Sequence, residues 1–163
     1  LSLLMDDRKN VKRLIQAAIK FNFKLILAGR IRNNKELKLL SSWIGNNKNI
    51  MYKGYLSNEE LLSYYAKAKV FALPSINEGV GIVGLEAASM GCDLVITNLG
   101  GPKEYYNGLA KIINPYSIDE IGNAVVDLLQ GQTFQPQLKN HVQSRFSLDS
   151  ISQQLVDSYK KII

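Results

Sequence analysis

The stretch Pro74-Ser-Ile-Asn-Glu78-Gly-Val-Gly81-Ile-Val-Gly-Leu-Glu86-Ala-Ala-Ser-Met-Gly91 decides the fold of this chain. An apolar, strand-like segment leads into it from Val70, and Gly79 and Gly81 then form a turn that opens a helix. Glycines let a ligand approach the backbone, and the first N–H groups of a helix have no partner within it. Together with the helix dipole, these N–H groups predict an anion site that suits a diphosphate. A glycine-rich turn that binds nothing is the alternative.

Two glutamates, Glu78 in the turn and Glu86 in the helix, have seven residues between them. Glu86 is surrounded by apolar residues, and a carboxylate is costly to bury there without partners. Hydrogen bonds from the hydroxyls of a sugar would offset that cost, which makes a nucleotide-sugar site the leading hypothesis. The alternatives are an exposed glutamate at position 86 and an ordinary acidic residue near a helix N-terminus at position 78.

Short apolar runs alternate with amphipathic segments along the whole chain. This alternation predicts right-handed βαβ units, and therefore an α/β fold with a doubly wound, six-stranded parallel sheet of Rossmann-like order 3-2-1-4-5-6. The expected strands are Leu1–Met5, Phe23–Ala28, Ile50–Gly54, Val70–Pro74, Leu94–Thr97 and Ala110–Asn114. The last helices are expected at about residues 136–163, with Leu148, Ile151, Leu155 and Tyr159 on one stripe.

In this strand order the first and fourth strands are neighbours at the switch point of the sheet, where ligands bind. The loop after the first strand contains Arg8 and Lys9. The topology therefore brings two cations towards the glycine-rich turn, where they would neutralise part of the charge of a diphosphate.

Composition and charge narrow the class of protein. The chain has 163 residues, 46% of them hydrophobic, which predicts a single globular domain. Its net charge of +6 fits a solvated basic surface, attraction to anionic substrates or a membrane face, or nucleic-acid binding, although no nucleic-acid motif is present. The single cysteine, Cys92, predicts a buried thiol in a reducing, cytoplasmic compartment. The only histidine, His141, is expected to be a surface or packing residue. No set of histidine, cysteine or acidic residues in the sequence has the spacing of metal ligands.

Residues 74–91 resemble the signature of the group 1 (family 4) retaining glycosyltransferases, in the C-terminal half of the two-domain GT-B architecture. Several further segments resemble the same family in the right order, namely Lys9-Asn-Val-Lys-Arg-Leu-Ile-Gln-Ala17, Leu27-Ala-Gly29, Tyr52-Lys-Gly-Tyr55 and Gly100-Gly-Pro-Lys-Glu104. The resemblance covers nearly the whole chain. With strand-like residues at its start and no initiating methionine, we expect a piece of a longer protein that lacks the N-terminal acceptor domain.

The resemblance implies a role for each matching residue. Lys9, helped by Arg8, would contact the donor diphosphate, and the backbone of Gly79, Gly81 and Ile82 would hold it. Glu78 would face the transferred sugar as the catalytic residue, Glu86 would bind the ribose, and the loop at Gly54 and Tyr55 would flank the nucleobase. The reaction implied is hexose transfer with retention, without cofactor or metal, from a nucleotide-sugar donor to a glycan or lipid-linked acceptor in surface polysaccharide synthesis, with possible peripheral membrane contact at the inner face.

One departure concerns the cations. The family usually has an arginine five residues before its lysine, and here that residue is Leu4. This departure supports one alternative function, a noncatalytic nucleotide-binding module. A nucleotide-sugar epimerase of the same architecture is a second alternative, which release of free UDP without acceptor would indicate.

Overall fold

The computed structural model describes residues 3–106 and 108–161. In these ranges five parallel strands alternate with helices. A short 3-10 turn, Asp7–Lys9, precedes the first helix, and another, Pro102–Tyr105, follows the fourth strand. The strands are β1 (Leu25–Leu27), β2 (Ile50–Tyr52), β3 (Val70–Leu73), β4 (Asp93–Thr97) and β5 (Lys111–Ile113). The helices are α1 (Val11–Phe21), α2 (Asn34–Ile44), α3 (Asn58–Lys67), α4 (Ile82–Ser89), α5 (Ile118–Leu129), α6 (Gln137–Phe146) and α7 (Leu148–Lys160).

The predicted α/β class with a parallel sheet is confirmed, but the predicted six-strand count is wrong for the described residues. The strands form two ladders, β1–β2 and β3–β4–β5, each with neighbours in the predicted order. Of the strand expected at Leu1–Met5, only Leu3 pairs, through an isolated parallel bridge to Arg30, and Leu1 and Ser2 lie outside the described residues. Pairing stops there because the chain turns: the Asp6 carboxylate accepts from the Arg8 N–H and caps the first 3-10 turn.

The sheet separates two apolar clusters, as expected when helices cover both faces. One cluster joins α1, α2 and α5 to β1, β2 and one face of β4, with Ile15 and Ile121 at its centre. The other joins α3, α4 and α6 to the opposite face and includes Leu94, Ile96 and Cys92. The prediction of a buried Cys92 is confirmed: its thiol lies against the carbonyls of Tyr65 and Ala68.

Side-chain caps define where several helices begin. Ser117 caps α5 by accepting from the Glu120 N–H, but the Glu120 carboxylate accepts from the Asn114 N–H instead of completing a capping box. The complete capping box is at α3, where Ser57 and Glu60 each accept from the other's backbone N–H.

The C-terminal helices differ in how they pack. α6 contributes the buried Leu138 and Val142 to the second cluster, whereas α7 has no buried residue. The predicted stripe of Leu148, Ile151, Leu155 and Tyr159 exists on α7, but all four side chains are exposed. No helix in the described part of the chain combines the length and apolar character needed to cross a membrane.

Candidate functional site

The loops that follow Leu3–Met5, β3 and β4 meet at one edge of the sheet, as the predicted topology requires. The Ile76 N–H donates to the carbonyl of Arg8 at 2.8 Å, which ties the loop after β3 to the segment that contains the predicted cations. Asn10 reinforces this junction. Its buried side-chain amide donates to the carbonyls of Pro74, at 3.0 Å, and Pro115, at 2.6 Å.

Asn10 is a site-building residue that the sequence-based assignment of site residues did not include. Its backbone is left-handed, with φ of 56°, a conformation that asparagine tolerates better than most residues. This bend ends the first 3-10 turn and starts α1, and it leaves Lys9 at the end of the turn. The signal available in the sequence is an asparagine immediately before a helical stripe.

Lys9 and Glu78, 69 positions apart, form an ion pair with Nζ and Oε2 separated by 2.8 Å. The hydroxyl of the buried Ser75 donates to the same Oε2 at 3.0 Å, so the Glu78 carboxylate is held from two sides. The two charged side chains retain 21% and 15% of their accessible surface, which leaves them shielded yet reachable from solvent. The structure therefore brings Lys9, which is predicted to bind the diphosphate, into direct contact with Glu78, the predicted catalytic carboxylate.

Arg8, the other predicted cation, has a different partner. Its guanidinium binds the Asp6 carboxylate, with Nη2 2.6 Å from Oδ2, and its side chain is mostly exposed. Hydrogen bonds from the Arg8 side chain and backbone lower the pKa of Asp6 to about 2. The charge of Arg8 is thus already balanced, and the structure does not bring it into the Lys9–Glu78 contact.

The glycine-rich turn is shaped as an open cradle at the start of α4. Gly81 is the N-cap, with left-handed φ of 69°, so a side chain there would be strained. No atom lies within 4 Å of where a Cβ on Gly79 would be, and Ile82 is 63% exposed. The free N–H groups at this end of α4 are therefore accessible to an anion.

Gly100 and Gly101, in the loop after β4, support this turn from the other side. A Cβ on Gly100 would lie 2.0 Å from the carbonyl oxygen of Glu78, and one on Gly101 would lie 2.8 Å from that of Gly79. Only glycines permit the two backbones to pack this closely. The glycine pair therefore fixes the backbone on which Glu78 is presented.

Glu86 is exposed, so the expectation of a carboxylate buried among apolar neighbours is wrong. The neighbours Gly84, Ala87 and Ala88 are buried on the inner face of α4, while Glu86 lies on its outer face. Its carboxylate has no hydrogen-bond or ion-pair partner in the described part of the chain, and it is close enough to influence Tyr65 of α3 electrostatically. It is thus available to a ligand on the outer face of α4, and the ribose assignment stays a prediction.

Gly54 and Tyr55 follow β2 at the same edge of the sheet. Gly54 has left-handed φ of 73°, and its carbonyl accepts from the Gly29 N–H at 2.9 Å. Tyr55 is 54% exposed and packs against the guanidinium of Arg30, whose carbon lies 4.6 Å from the ring centroid. The predicted nucleobase loop thus offers the aromatic face of Tyr55. The sequence reasoning missed the adjoining cation, Arg30, which follows β1.

Tyr106 lies beneath the first turn of α4. Its hydroxyl is buried without a hydrogen-bond partner in the described residues, and burial, assisted by the charge of Glu78, raises its pKa to about 12. A Cβ on Gly84 would lie 2.5 Å from that hydroxyl. Gly84 and Tyr106 therefore form one packing unit behind the glycine turn.

His141 is a packing residue, as predicted, and its Nε2 lies 2.9 Å from the carbonyl oxygen of Tyr105.

The parallel α/β fold, with a cation and a carboxylate at a glycine-rich helix start, has the form that the resemblance predicts for a donor-binding domain of a glycosyltransferase. Residues 5–145 match the family model described as glycosyl transferases group 1, and the chain belongs to that family. It is 24% identical over its whole length to the serotype-specific mannosyltransferase WbdA of Escherichia coli, of which it spans 22%. Over 64% of its length it is 30% identical to a GDP-mannose-dependent α-(1-6)-phosphatidylinositol monomannoside mannosyltransferase of Mycobacterium tuberculosis, of which it spans 30%.

Among solved structures, the chain resembles the C-terminal domain of a group 1 glycosyl transferase family protein, LpcC, from Francisella tularensis. The TM-score is 0.75 at 20% identity, and the match covers 88% of this chain and 83% of that domain. The fold is therefore that of the C-terminal half of a GT-B glycosyltransferase, as the sequence predicts.

Proposed function

We propose that this chain is the donor-binding half of a retaining mannosyltransferase. It would bind a nucleoside-diphosphate mannose and present the sugar to a glycan or lipid-linked acceptor bound by a second domain. The Lys9–Glu78 pair at the glycine turn carries this proposal, because it places a cation for phosphate and a carboxylate for sugar hydroxyls within one hydrogen bond of each other. The names of the two mannosyltransferase relatives support mannose as the sugar.

The chemistry follows from these positions. Lys9 and the free N–H groups of Gly81, Ile82 and Val83 would stabilise the diphosphate as negative charge grows on it during departure from the sugar. Glu78 would orient the mannosyl group, and Glu86 the ribose. The departing diphosphate would accept the acceptor proton, so we propose a reaction with retention that needs no metal and no cofactor besides the donor.

The setting we propose is the cytoplasmic face of a membrane, in surface polysaccharide synthesis. A net charge of +6 supports contact with anionic lipids that carry the acceptor, and a single buried thiol is compatible with a reducing compartment. Sedimentation with vesicles that contain about 30% phosphatidylglycerol, compared with neutral vesicles, tests this contact. Equal recovery on both kinds of vesicle would oppose it.

Calorimetric titration with GDP, UDP and their sugars tests donor binding, with Glu86→Ala and Glu59→Ala as a matched pair of exposed glutamates. We expect Glu86→Ala to weaken nucleotide binding on the order of tenfold, as loss of charged hydrogen bonds requires, while Glu59→Ala on α3 leaves it unchanged. Absence of binding by any nucleotide at millimolar concentration would refute the function. Unchanged affinity in Glu86→Ala would remove only the ribose assignment.

A further inference from the structure

Arg30 is held by its backbone at the same sheet edge as the Lys9–Glu78 pair. Its carbonyl accepts from the Leu4 N–H at 2.9 Å, within the isolated bridge to Leu3. On the other side, the adjacent Gly29 donates to Gly54, also at 2.9 Å. Arg30 is therefore fixed between the N-terminal segment and the loop after β2, and its position does not depend on its own side chain.

The Arg30 side chain carries a charge that no carboxylate balances within residues 3–106 and 108–161. Two other arginines near this edge have carboxylate partners, since Arg8 binds Asp6 and Arg32 binds Glu36, each at 2.6 Å. A third, Arg13, donates to the side-chain oxygen of Asn10 and stacks on Tyr116. Arg30 instead stacks on the exposed ring of Tyr55, 4.6 Å from its centroid. An aromatic ring holds a guanidinium by its face, which leaves the N–H donors at the rim of the guanidinium free to bind a ligand.

The place of Arg30 beside the N-terminal segment indicates which part of a nucleotide would meet these donors. The bridge from Leu3 puts Arg30 on the β1 side of the segment that leads to Lys9, with β2 and Tyr55 beyond it. A diphosphate at the start of α4 is already served by Lys9 and the helix N–H groups. A nucleoside extending from it past Glu86 towards α3 and β2 would bring its base, rather than its phosphates, to Arg30.

We propose that Arg30, supported by Tyr55, reads the base of the donor and selects guanine. This inference rests on the proposed function. A guanidinium presents two parallel donors, and guanine presents two adjacent acceptors, O6 and N7, which match them. Adenine presents a donor beside N7, and in uracil the two carbonyls O2 and O4 are separated by the N3–H donor, so neither base accepts both hydrogen bonds.

The test measures dissociation constants of the chain for GDP, IDP, ADP and UDP by calorimetry. IDP retains O6 and N7 but lacks the guanine amino group. We expect GDP and IDP to bind alike and on the order of tenfold more tightly than ADP and UDP, the usual discrimination of one bidentate contact. In Arg30→Ala this preference should disappear while the affinity for UDP stays the same.

Arg30→Lys separates hydrogen-bond geometry from charge. Lysine keeps the positive charge but loses the paired donors, so we expect it to lose the guanine preference as Arg30→Ala does. Arg32→Ala, which removes a neighbouring arginine already paired with Glu36, should keep the preference. A wild-type protein without guanine preference, an equal loss for all four nucleotides in Arg30→Ala, or full rescue by Arg30→Lys would each overturn the proposal. In each of these cases nucleotide binding itself would persist, which distinguishes the result from failure of the proposed function.

Discussion

Lys9 Nζ lies 2.8 Å from Glu78 Oε2, so an ion pair joins the segment before α1 to the loop after β3. The Glu78 carboxylate thus binds the ammonium group that we propose for the diphosphate, and a donor that bound there would compete with Glu78 for Lys9. The pairing neutralises both charges, which limits the cost of holding a partly buried lysine. Donor binding would release Glu78 towards the sugar at the moment the diphosphate takes its place.

Replacement of Glu78 by glutamine should tighten the binding of nucleoside diphosphates that lack a sugar. The substitution removes both a competing anion and a repulsive charge, and an interaction of this exposure is worth up to about 1 kcal/mol, or roughly fivefold in affinity. In the complete enzyme the same variant should lose transfer, because the sugar contact is gone. Glu59→Gln serves as the control. Weaker binding of GDP or UDP to Glu78→Gln would contradict the competition.

Lys9→Ala and Arg8→Ala should differ although the two residues are adjacent. Lys9 points into the site, so its loss should weaken diphosphate binding on the order of tenfold, the magnitude for one charge-assisted hydrogen bond. Arg8 is balanced by Asp6, so its loss should change affinity by less than about twofold. Calorimetry at low and moderate salt measures both. Equal losses would assign Arg8 to the diphosphate as well, as the sequence reasoning expects.

Because Gly84 lies against Tyr106, the effect of Gly84→Ala on the free energy of unfolding should change sign when Tyr106 is replaced by phenylalanine. Gly84→Ala should destabilise the fold by about 1–3 kcal/mol, because its Cβ would lie 2.5 Å from the Tyr106 hydroxyl. In a Tyr106→Phe background the nearest ring atom is 3.6 Å away, and the same change should stabilise α4 by up to about 1 kcal/mol through helix propensity. Urea unfolding of the four proteins gives the cycle. Additive effects would show that the hydroxyl does not limit the space.

Cys92 should be unreactive in the folded protein up to high pH. Burial raises the pKa of its thiol to about 11 from an ordinary value near 9. The folded state therefore holds this proton more tightly than the unfolded chain, so the associated stability is present below pH 9 and is lost as the pH rises towards 11. Thiol labelling at pH 8 with and without denaturant measures the protection. Rapid labelling of the native protein at that pH would contradict it.

Patterns local in sequence are sufficient to predict the fold class and to predict that Lys9, Glu78 and the glycine turn lie close together. Alternating apolar runs and helical stripes predict the strand–helix order, because each periodicity reflects a neighbour that buries one face. The glycine turn, Glu78 and Lys9 follow from the motif and from the strand order. The strand expected at Leu1–Met5 is reduced to a single bridge at Leu3 in the described residues. The apolar composition of this segment does not reveal that Asp6 caps a turn immediately afterwards.

Tertiary structure decided what these residues contact. Glu86 has apolar neighbours in sequence but an exposed position, because the small residues around it occupy the inner face of a short helix. Arg8 and Lys9 are equivalent cations in the sequence, and only the direction of the 3-10 turn assigns one to Asp6 and the other to Glu78. Arg30 and Tyr55 are 25 positions apart and meet only because β1 and β2 pair in parallel. Local sequence determines which elements form, whereas charge pairing and exposure depend on distances between elements that only the folded chain brings together.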